Sequence, residues 1–353
     1  MEIFNESQSR LPFVVADAET GSSYVLSKLL GKGSFAKCYL SEEVETGRLF
    51  AVKVISSLIS RNKNYISKEI AIYSLLYHKN IVNFKTSFTD NTNFYIVLEL
   101  CSNGSLSQLM KRRNQLTLVE ARYMLNQILS GVQYLHSKYI VHGDLKLENI
   151  VLNSRLIPKI GDFGVSTLMS HRENLVTEFC GTMEYMAPEI IFKEGHSFAV
   201  DIWAVGCISY KLISGKLPFE AGNGDIGRNI LSCNFNHYQP GLRKQFSKFI
   251  LKILQKHPGE RPAAKELLKD KFLSNCFIPS RLPVRCLWEA PTYQELLPCG
   301  MNQRVKRKSR IGRSYNLRRN RSWSMTGGIK KKTTSKFGQS LHQMIAQSMI
   351  SSR

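Results

Sequence analysis

Apolar and polar positions divide the chain into a strand-rich beginning and a helix-rich middle. From Tyr24 to Val54, apolar and β-branched residues flank the glycine-containing turn Gly31-Lys32-Gly33-Ser34-Phe35-Ala36-Lys37-Cys38 and continue into Phe50-Ala51-Val52-Lys53-Val54. That pattern predicts strands on either side of a tight hairpin. Ile66, Ile70, Tyr73 and Leu76–Tyr77 then recur at the spacing of one helix face, and Phe94 to Leu98 reads as a strand again. Beyond it the signals turn helical. Ala121, Met124–Leu125, Ile128, Val132 and Leu135 mark one face of a long helix over Glu120 to His136, and Asp201-Ile202-Trp203-Ala204-Val205-Gly206 opens another. Residues 1–20 are expected to form a flexible lead-in. No internal repeat is evident.

Charge changes this picture at one end only. The net charge is +22, and residues 301–353 hold 14 Lys or Arg with no Asp or Glu, so the other 300 residues carry only +8. Arg304-Val305-Lys306-Arg307-Lys308, Arg318-Arg319-Asn320-Arg321 and Lys330-Lys331-Lys332 alternate with Ser, Gly and Asn, a composition that predicts disorder. Such clusters suit a polyanion or nuclear-import partner, and a plain solvated tail fits them equally. Leu341, Met344, Ile345 and Met349 fall at helical spacing, so a short amphipathic helix can form there.

Eight widely spaced cysteines (38, 101, 180, 207, 233, 276, 286 and 299) without a C-x-x-C pair suggest neither a zinc site nor a disulfide scaffold. Met1 to Arg10 lacks the apolar core of a signal peptide. The run from Asp201 to Gly215 is too short to span a bilayer and is interrupted by Asp201 and Lys211. A soluble protein of a reducing compartment is expected.

The chemistry concentrates between His142 and Glu189. His142-Gly143-Asp144-Leu145-Lys146-Leu147-Glu148-Asn149 is followed by Asp162-Phe163-Gly164, eighteen positions after Asp144, and by Ala187-Pro188-Glu189, twenty-seven positions after Asp162. Phosphoryl transfer from a metal-bound nucleotide needs a carboxylate near the attacking hydroxyl, a cation for the moving phosphoryl and oxygen ligands for magnesium. Asp144, Lys146, Asn149 and Asp162 offer these in a recognised order. Upstream, glycines let backbone N–H groups approach phosphates, and Lys53 follows Gly31 by twenty-two residues. Alone, the glycines would be an ordinary turn and Glu69 a solvated surface residue. Together with Lys53 they describe a nucleotide site with a lysine–glutamate pair.

In this order the motifs resemble those of protein kinases. The resemblance implies an α+β fold of two lobes, a small β-rich N-lobe and a larger, mostly helical C-lobe. Ala36 stands where kinases usually carry a third glycine, and Cys38 where they carry valine, as in polo-like kinases. The likeness to that family continues at Leu98-Glu99-Leu100-Cys101, Ala121-Arg122-Tyr123, Gly195-His196-Ser197-Phe198 and Ile278-Pro279-Ser280-Arg281-Leu282-Pro283. It implies a kinase domain over 21–277, with lobes meeting near residue 100, a linker extension over 278–300 and a basic tail over 301–353.

The resemblance also implies roles. Leu30, Gly31, Lys32, Gly33, Ser34, Phe35, Ala36, Lys37, Cys38, Ala51, Lys53 and Glu69 would surround ATP. Leu98 would close the back of the adenine pocket, Glu99 and Cys101 would offer backbone groups to the base, and Val151 would lie beneath it. Asn149 and Asp162 would hold Mg2+. Asp144, Lys146, Lys53 and Thr182 would be catalytic, with Thr182 bridging Asp144 and Lys146. Lys146, two residues after Asp144, is the serine/threonine pattern. Asp201 would tie down the catalytic loop, and Arg261 would pair with Glu189. The implied function is ATP-dependent phosphorylation of protein Ser or Thr in cell-cycle or centrosome and spindle regulation, in cytoplasm or nucleus, including the centrosome.

Two departures alter the expectation. Polo boxes need on the order of 200 residues, whereas 53 follow residue 300, so a kinase without polo boxes is expected. Gly143 stands where most of the family carries the arginine that receives an activation-loop phosphate. Counting back from Glu189 places Glu178 at the activating phosphosite, with Thr177 beside it, and Thr167 is uncharged where many kinases have a second basic residue. A phosphate brings about −1.5 to −2 charge, which Glu178 imitates only in part. A loop independent of that switch is expected. The competing reading is a pseudokinase scaffold with a polyanion-binding tail. Gly143 favours it; Lys53, Glu69, Asp144, Lys146, Asn149 and Asp162 oppose it.

Overall fold

The computed structural model describes residues 11–33, 36–57, 63–169, 175, 181–220, 225–235 and 244–297. The strand-rich beginning forms one antiparallel sheet from β1 (Phe13–Ala16), β2 (Ser23–Lys32), β3 (Ala36–Glu43), β4 (Leu49–Ser56), β5 (Phe84–Thr89) and β6 (Asn93–Glu99). Their spatial order is β1-β2-β3-β4-β6-β5, and α1 (Lys63–Ser74) lies between β4 and β5 in sequence. The sheet begins at Phe13, inside the stretch expected to be a flexible lead-in, because Phe13 pairs with Leu26 and Ala16 with Ser23. Four residues are too short a run to show strand periodicity, yet Phe13 and Val15 pack onto the cluster of Tyr24, Leu26, Val52, Tyr95 and Val97.

Strand alternation then divides β4 between two faces. Val52 joins that outer cluster, while Ala51 and Ile55 join the main core with Ile66, Ile72 and Tyr73 of α1. Lys53 shares the face of Ala51 and Ile55, which turns it toward α1. Sequence parity alone sets that direction.

The helical part is built on α3 (Leu118–Ser137) and α5 (Ala199–Ser214). A reciprocal cap between Thr117 and Glu120 starts α3. In α5 nearly every residue from Val200 to Ile213 is buried, as befits a helix that is apolar all round. It ends at Gly215, whose φ of +77° suits a left-handed cap. Two small ribbons carry the site between these helices: β7 (Ile140–Val141) with β10 (Thr167–Leu168), and β8 (Ile150–Leu152) with β9 (Pro158–Ile160).

The short helix α2 (Leu106–Arg113) follows β6; later in the chain α4 (Pro188–Ile191) packs on α6 (Ile226–Leu231), α7 (Lys244–Ile253) on α5, α8 (Ala264–Leu267) on α3 and α9 (Lys271–Ser274) on α7. After residue 277 the chain packs back through a 3-10 turn at Val284–Leu287 and α10 (Tyr293–Leu296), burying Leu282, Cys286, Leu287 and Leu296. Among the described residues, no helix is long and apolar enough to cross a membrane. The basic clusters and the Leu341–Met349 stripe lie outside the described residues.

Candidate active site

Lys53 Nζ lies 2.6 Å from Glu69 Oε1 and 2.8 Å from Asp162 Oδ1. One amine therefore joins the sheet, α1 and the Asp162-Phe163-Gly164 segment. Burial works against its charge, but the Glu69 and Asp162 carboxylates prevail and raise the Lys53 pKa above its ordinary value. Burial likewise pushes the Asp162 carboxyl up, and the Lys53 charge and hydrogen bond override it, so its pKa is lowered. Half of the Asp162 side chain (51%) remains open to the cleft. Phe163 beside it is buried between Tyr73 and His142, with ring centroids 4.9 and 5.2 Å away, and Phe84 continues the stack 6.2 Å beyond Tyr73.

The catalytic loop closes a second network. Lys146 Nζ lies 2.6 Å from Asp144 Oδ2 and donates to Thr182 Oγ1 at 2.7 Å; that hydroxyl in turn donates to Asp144 Oδ1 at 2.9 Å. Asn149 Nδ2 donates to the Asp144 carbonyl at 2.8 Å and to Oδ2 at 3.2 Å. Its Oδ1 is the end left for a ligand. Beneath the loop, Asp201 accepts the N–H groups of His142 at 2.9 Å and Gly143 at 3.0 Å, and His136 Nε2 lies 2.9 Å away. Burial raises the Asp201 pKa and these partners, His136 foremost, lower it below the usual value on balance. Charged Asp201 is thus a brace for two backbone donors.

The donor set and the glycines fit magnesium and a nucleotide. The Asp162 carboxylate and the Asn149 amide oxygen are hard oxygen ligands of the kind that would hold Mg2+ together with phosphates. Gly31 and Gly33 have no positive φ, and a Cβ on Gly31 would meet no atom within 4 Å. Neither backbone conformation nor packing demands a glycine there, which leaves close approach of a ligand as the physical reason for it. The hairpin closes through Gly33 N–H to Ala36 O at 2.8 Å, and Lys32 stands opposite Lys37. Ser34 and Phe35 lie outside the described residues.

Farther in, Ala51 and Leu98 are buried, Leu30 is exposed and Val151 is half-buried against the core. The Glu99 N–H donates to Asn83 O at 2.9 Å, so that donor is already engaged. Its carboxylate is held 2.7 Å from Lys159 Nζ. Burial pushes the Cys38 thiol up to about 11 and the Cys101 thiol up to about 12, so both are neutral.

Glu189 and Arg261 form a two-pronged pair at 2.6 and 2.8 Å. Arg261 also donates to the carbonyls of Gln255, Lys256 and Ala199 and lies 4.9 Å from the Trp203 ring. Removing one partner would strand a buried charge, the costly case for such pairs.

Among the described candidates, Lys53, Glu69 and Asp162 meet in one cluster, Asp144, Lys146, Asn149 and Thr182 in a second, and Glu189 and Arg261 in a separate pair. Sequence reasoning missed the contributions of Tyr73, His136 and Lys159. Tyr73 was read as one member of an apolar stripe, and no local motif marks the other two. Thr177 and Glu178 lie outside the described residues, whereas Thr167 pairs with Val141 and has Lys68 Nζ at 3.4 Å from its Oγ1.

The family model of the protein kinase domain matches residues 24–273. The chain is 42% identical over 290 residues to serine/threonine-protein kinase polo of Drosophila melanogaster, covering 81% of this chain and 50% of that protein. It is 40% identical over 302 residues to serine/threonine-protein kinase PLK1 of Xenopus laevis, covering 84% and 50%. For serine/threonine-protein kinase PLK2 of Mus musculus the values are 37% over 284 residues, with 79% and 42% covered. The chain thus spans about half the length of the curated relatives it matches. The ion pair on Lys53, the bridged Asp144 and this match lead to one conclusion: the chain belongs to the protein kinase family, and its kinase domain is of the polo-like kind.

Proposed function

We propose that this chain is an ATP-dependent serine/threonine protein kinase. The observation that carries the reading is Lys53 held between Glu69 and Asp162 at 2.6 and 2.8 Å, an arrangement ready to receive phosphates and a metal ion. Lys53 would bind the α/β phosphates, and Asn149 and Asp162 would hold Mg2+. When bound, Mg2+ neutralises charge on the phosphate oxygens. Asp144 orients the acceptor hydroxyl and accepts its proton. Lys146 stabilises the moving phosphoryl, while Thr182 keeps Asp144 and Lys146 in register. The hairpin from Leu30 to Cys38 covers the phosphates; Ala51, Leu98 and Val151 enclose the base, with Glu99 and Cys101 along its edge. Glu189, Arg261 and Asp201 hold the loops that present these groups.

The acceptors are Ser or Thr of protein substrates, and the cellular role is cell-cycle or centrosome and spindle regulation in cytoplasm or nucleus. The basic tail adds a polyanion or nuclear-import contact. A degenerate peptide library, phosphorylated by wild type and by Asp162→Ala, tests the reading. Transfer to Ser and Thr by wild type alone is expected; equal signals from both proteins would overturn the site assignment.

A further inference from the structure

Tyr73 is fully buried, yet it carries a hydroxyl that the transfer chemistry does not use. It follows Glu69 by one turn of α1, so the helix that supplies the partner of Lys53 also supplies Tyr73. The ring meets Phe163 edge-on, with centroids 4.9 Å apart at 83°. The hydroxyl accepts the backbone N–H of Asp162 at 3.0 Å. The other end of the same peptide unit, the Gly161 carbonyl, accepts from His142 Nε2 at 3.1 Å. His142 Nδ1 accepts the Asp144 N–H at 3.3 Å, which assigns the ring proton to Nε2.

The Gly161–Asp162 peptide plane is thus gripped at both ends, by α1 on one side and by the catalytic loop on the other. It has need of that grip. Asp162 adopts φ of +65°, a conformation that a residue with a Cβ keeps only where its surroundings over-determine it. Rotation of this plane would carry the Asp162 carboxylate away from Lys53 and out of line with Asn149. Phenylalanine or leucine at position 73 would preserve the apolar stack and leave the Asp162 N–H without its acceptor.

We propose that Tyr73 is a positioning residue whose hydroxyl, acting with His142, locks the Gly161–Asp162 peptide and so keeps the Asp162 carboxylate aimed at the metal. α1 and the metal-binding aspartate then form one mechanical unit. The inference rests on the kinase reading of the site and adds to it a residue for metal positioning.

Tyr73→Phe removes a single oxygen and is the decisive variant. The Mg2+ concentration for half-maximal peptide phosphorylation is expected to rise about fivefold, the factor of one net hydrogen bond, with the rate at saturating Mg2+ little changed. Mg2+-dependent binding of a non-hydrolysable ATP analogue should weaken by the same factor, and binding of the analogue without Mg2+ should not change. Hydrogen exchange at the Asp162 amide is expected to be slow in the wild type and to accelerate in the variant. An unchanged Mg2+ dependence together with unchanged exchange would overturn the proposal. If the wild type phosphorylates no peptide, the kinase reading fails, while analogue binding and amide exchange still decide the role of Tyr73. If Tyr73→Phe does not fold, exchange in the wild type decides, and a fast Asp162 amide there would overturn the proposal.

Discussion

The buried carboxylate of Asp201 accepts the backbone N–H of Gly143 at 3.0 Å, and Gly143 holds φ of +78°. The catalytic loop is therefore braced from below through backbone, not through a side chain at position 143. A Cβ there would come no closer than 3.5 Å, to Val165 O, so space is available and only the conformation resists substitution. Glycine relieves that strain and forfeits the guanidinium that would bind a loop phosphate in two-pronged fashion.

From this follows independence of loop phosphorylation. Phosphatase-treated enzyme and Thr177→Ala should each keep most of the wild-type rate. A loss of about a hundredfold, near 2.7 kcal/mol, would show that another cation receives the phosphate. Lys68, 3.4 Å from Thr167 Oγ1, is the first to test. Gly143→Arg combined with Glu178→Thr should make activity phosphorylation-dependent and should lower stability by about 1–2 kcal/mol through left-handed strain. Rate assays with and without phosphatase, alongside denaturant melts, check both effects.

Lys53→Met and Asp162→Ala should each reduce phosphoryl transfer by roughly a thousandfold or more, about 4 kcal/mol in barrier. The fold should survive, because Glu69 can take up a proton once its buried partner is gone. Circular dichroism next to single-turnover rates separates lost chemistry from lost structure. Substantial transfer by either folded variant would mean that the phosphates bind elsewhere.

Lys53, Asp144 and Asp162 were legible because their chemistry dictates residue types at fixed spacing, and strand parity directed Lys53 inward. The lobes were legible because period-2 and period-3.6 patterns run long enough to count. Tyr73 was legible as core, but its hydroxyl serves an amide 89 residues away, and no local pattern encodes such a contact. Strand β1 escaped because four residues establish no period and its partners lie across a turn. Arg113, in the last turn of α2, serves carbonyls 173 and 176 residues later. Long-range polar contacts of this kind leave no periodic trace.

Asp201 predicts a pH dependence of stability. Its folded pKa lies below the ordinary 3.8, so its contribution is fully present above the unfolded value and is lost as pH falls through the folded one. Asp201→Asn places an amide donor against backbone donors and cannot titrate. The stability gap between wild type and Asp201→Asn should be widest at neutral pH and narrow below about pH 4, near the unfolded carboxyl value. Denaturant midpoints measured from pH 7 to pH 3 check this; a gap constant over that range would mean that Asp201 is not held as a charge.

The segment after residue 277 should matter more to the kinase than the tail beyond it. Arg113, with only 6% of its side chain exposed, donates to the carbonyls of Cys286 and Glu289 and to Glu120, while Arg112 Nε donates to Leu287 O at 3.2 Å. Leu282, Leu287 and Leu296 are buried at the same place, and each buried leucine contributes about 1.5–3 kcal/mol. α2, which carries both arginines, is fastened to the catalytic side of the cleft, since Asn103 N–H donates to Leu152 O at 3.0 Å and Leu152 N–H to Gly104 O at 2.7 Å. Deleting residues 278–353 should therefore leave Arg113 with Glu120 alone, lower Tm by roughly 5 °C or more and raise the KM for ATP as α2 loosens. Deleting only residues 301–353 should leave peptide turnover nearly unchanged and abolish polyanion binding. A tenfold faster shorter enzyme, a barrier change of about 1.4 kcal/mol, would instead make the tail an autoinhibitor. Equal Tm for the two deletions would mean that the segment rests on α2 without supporting it.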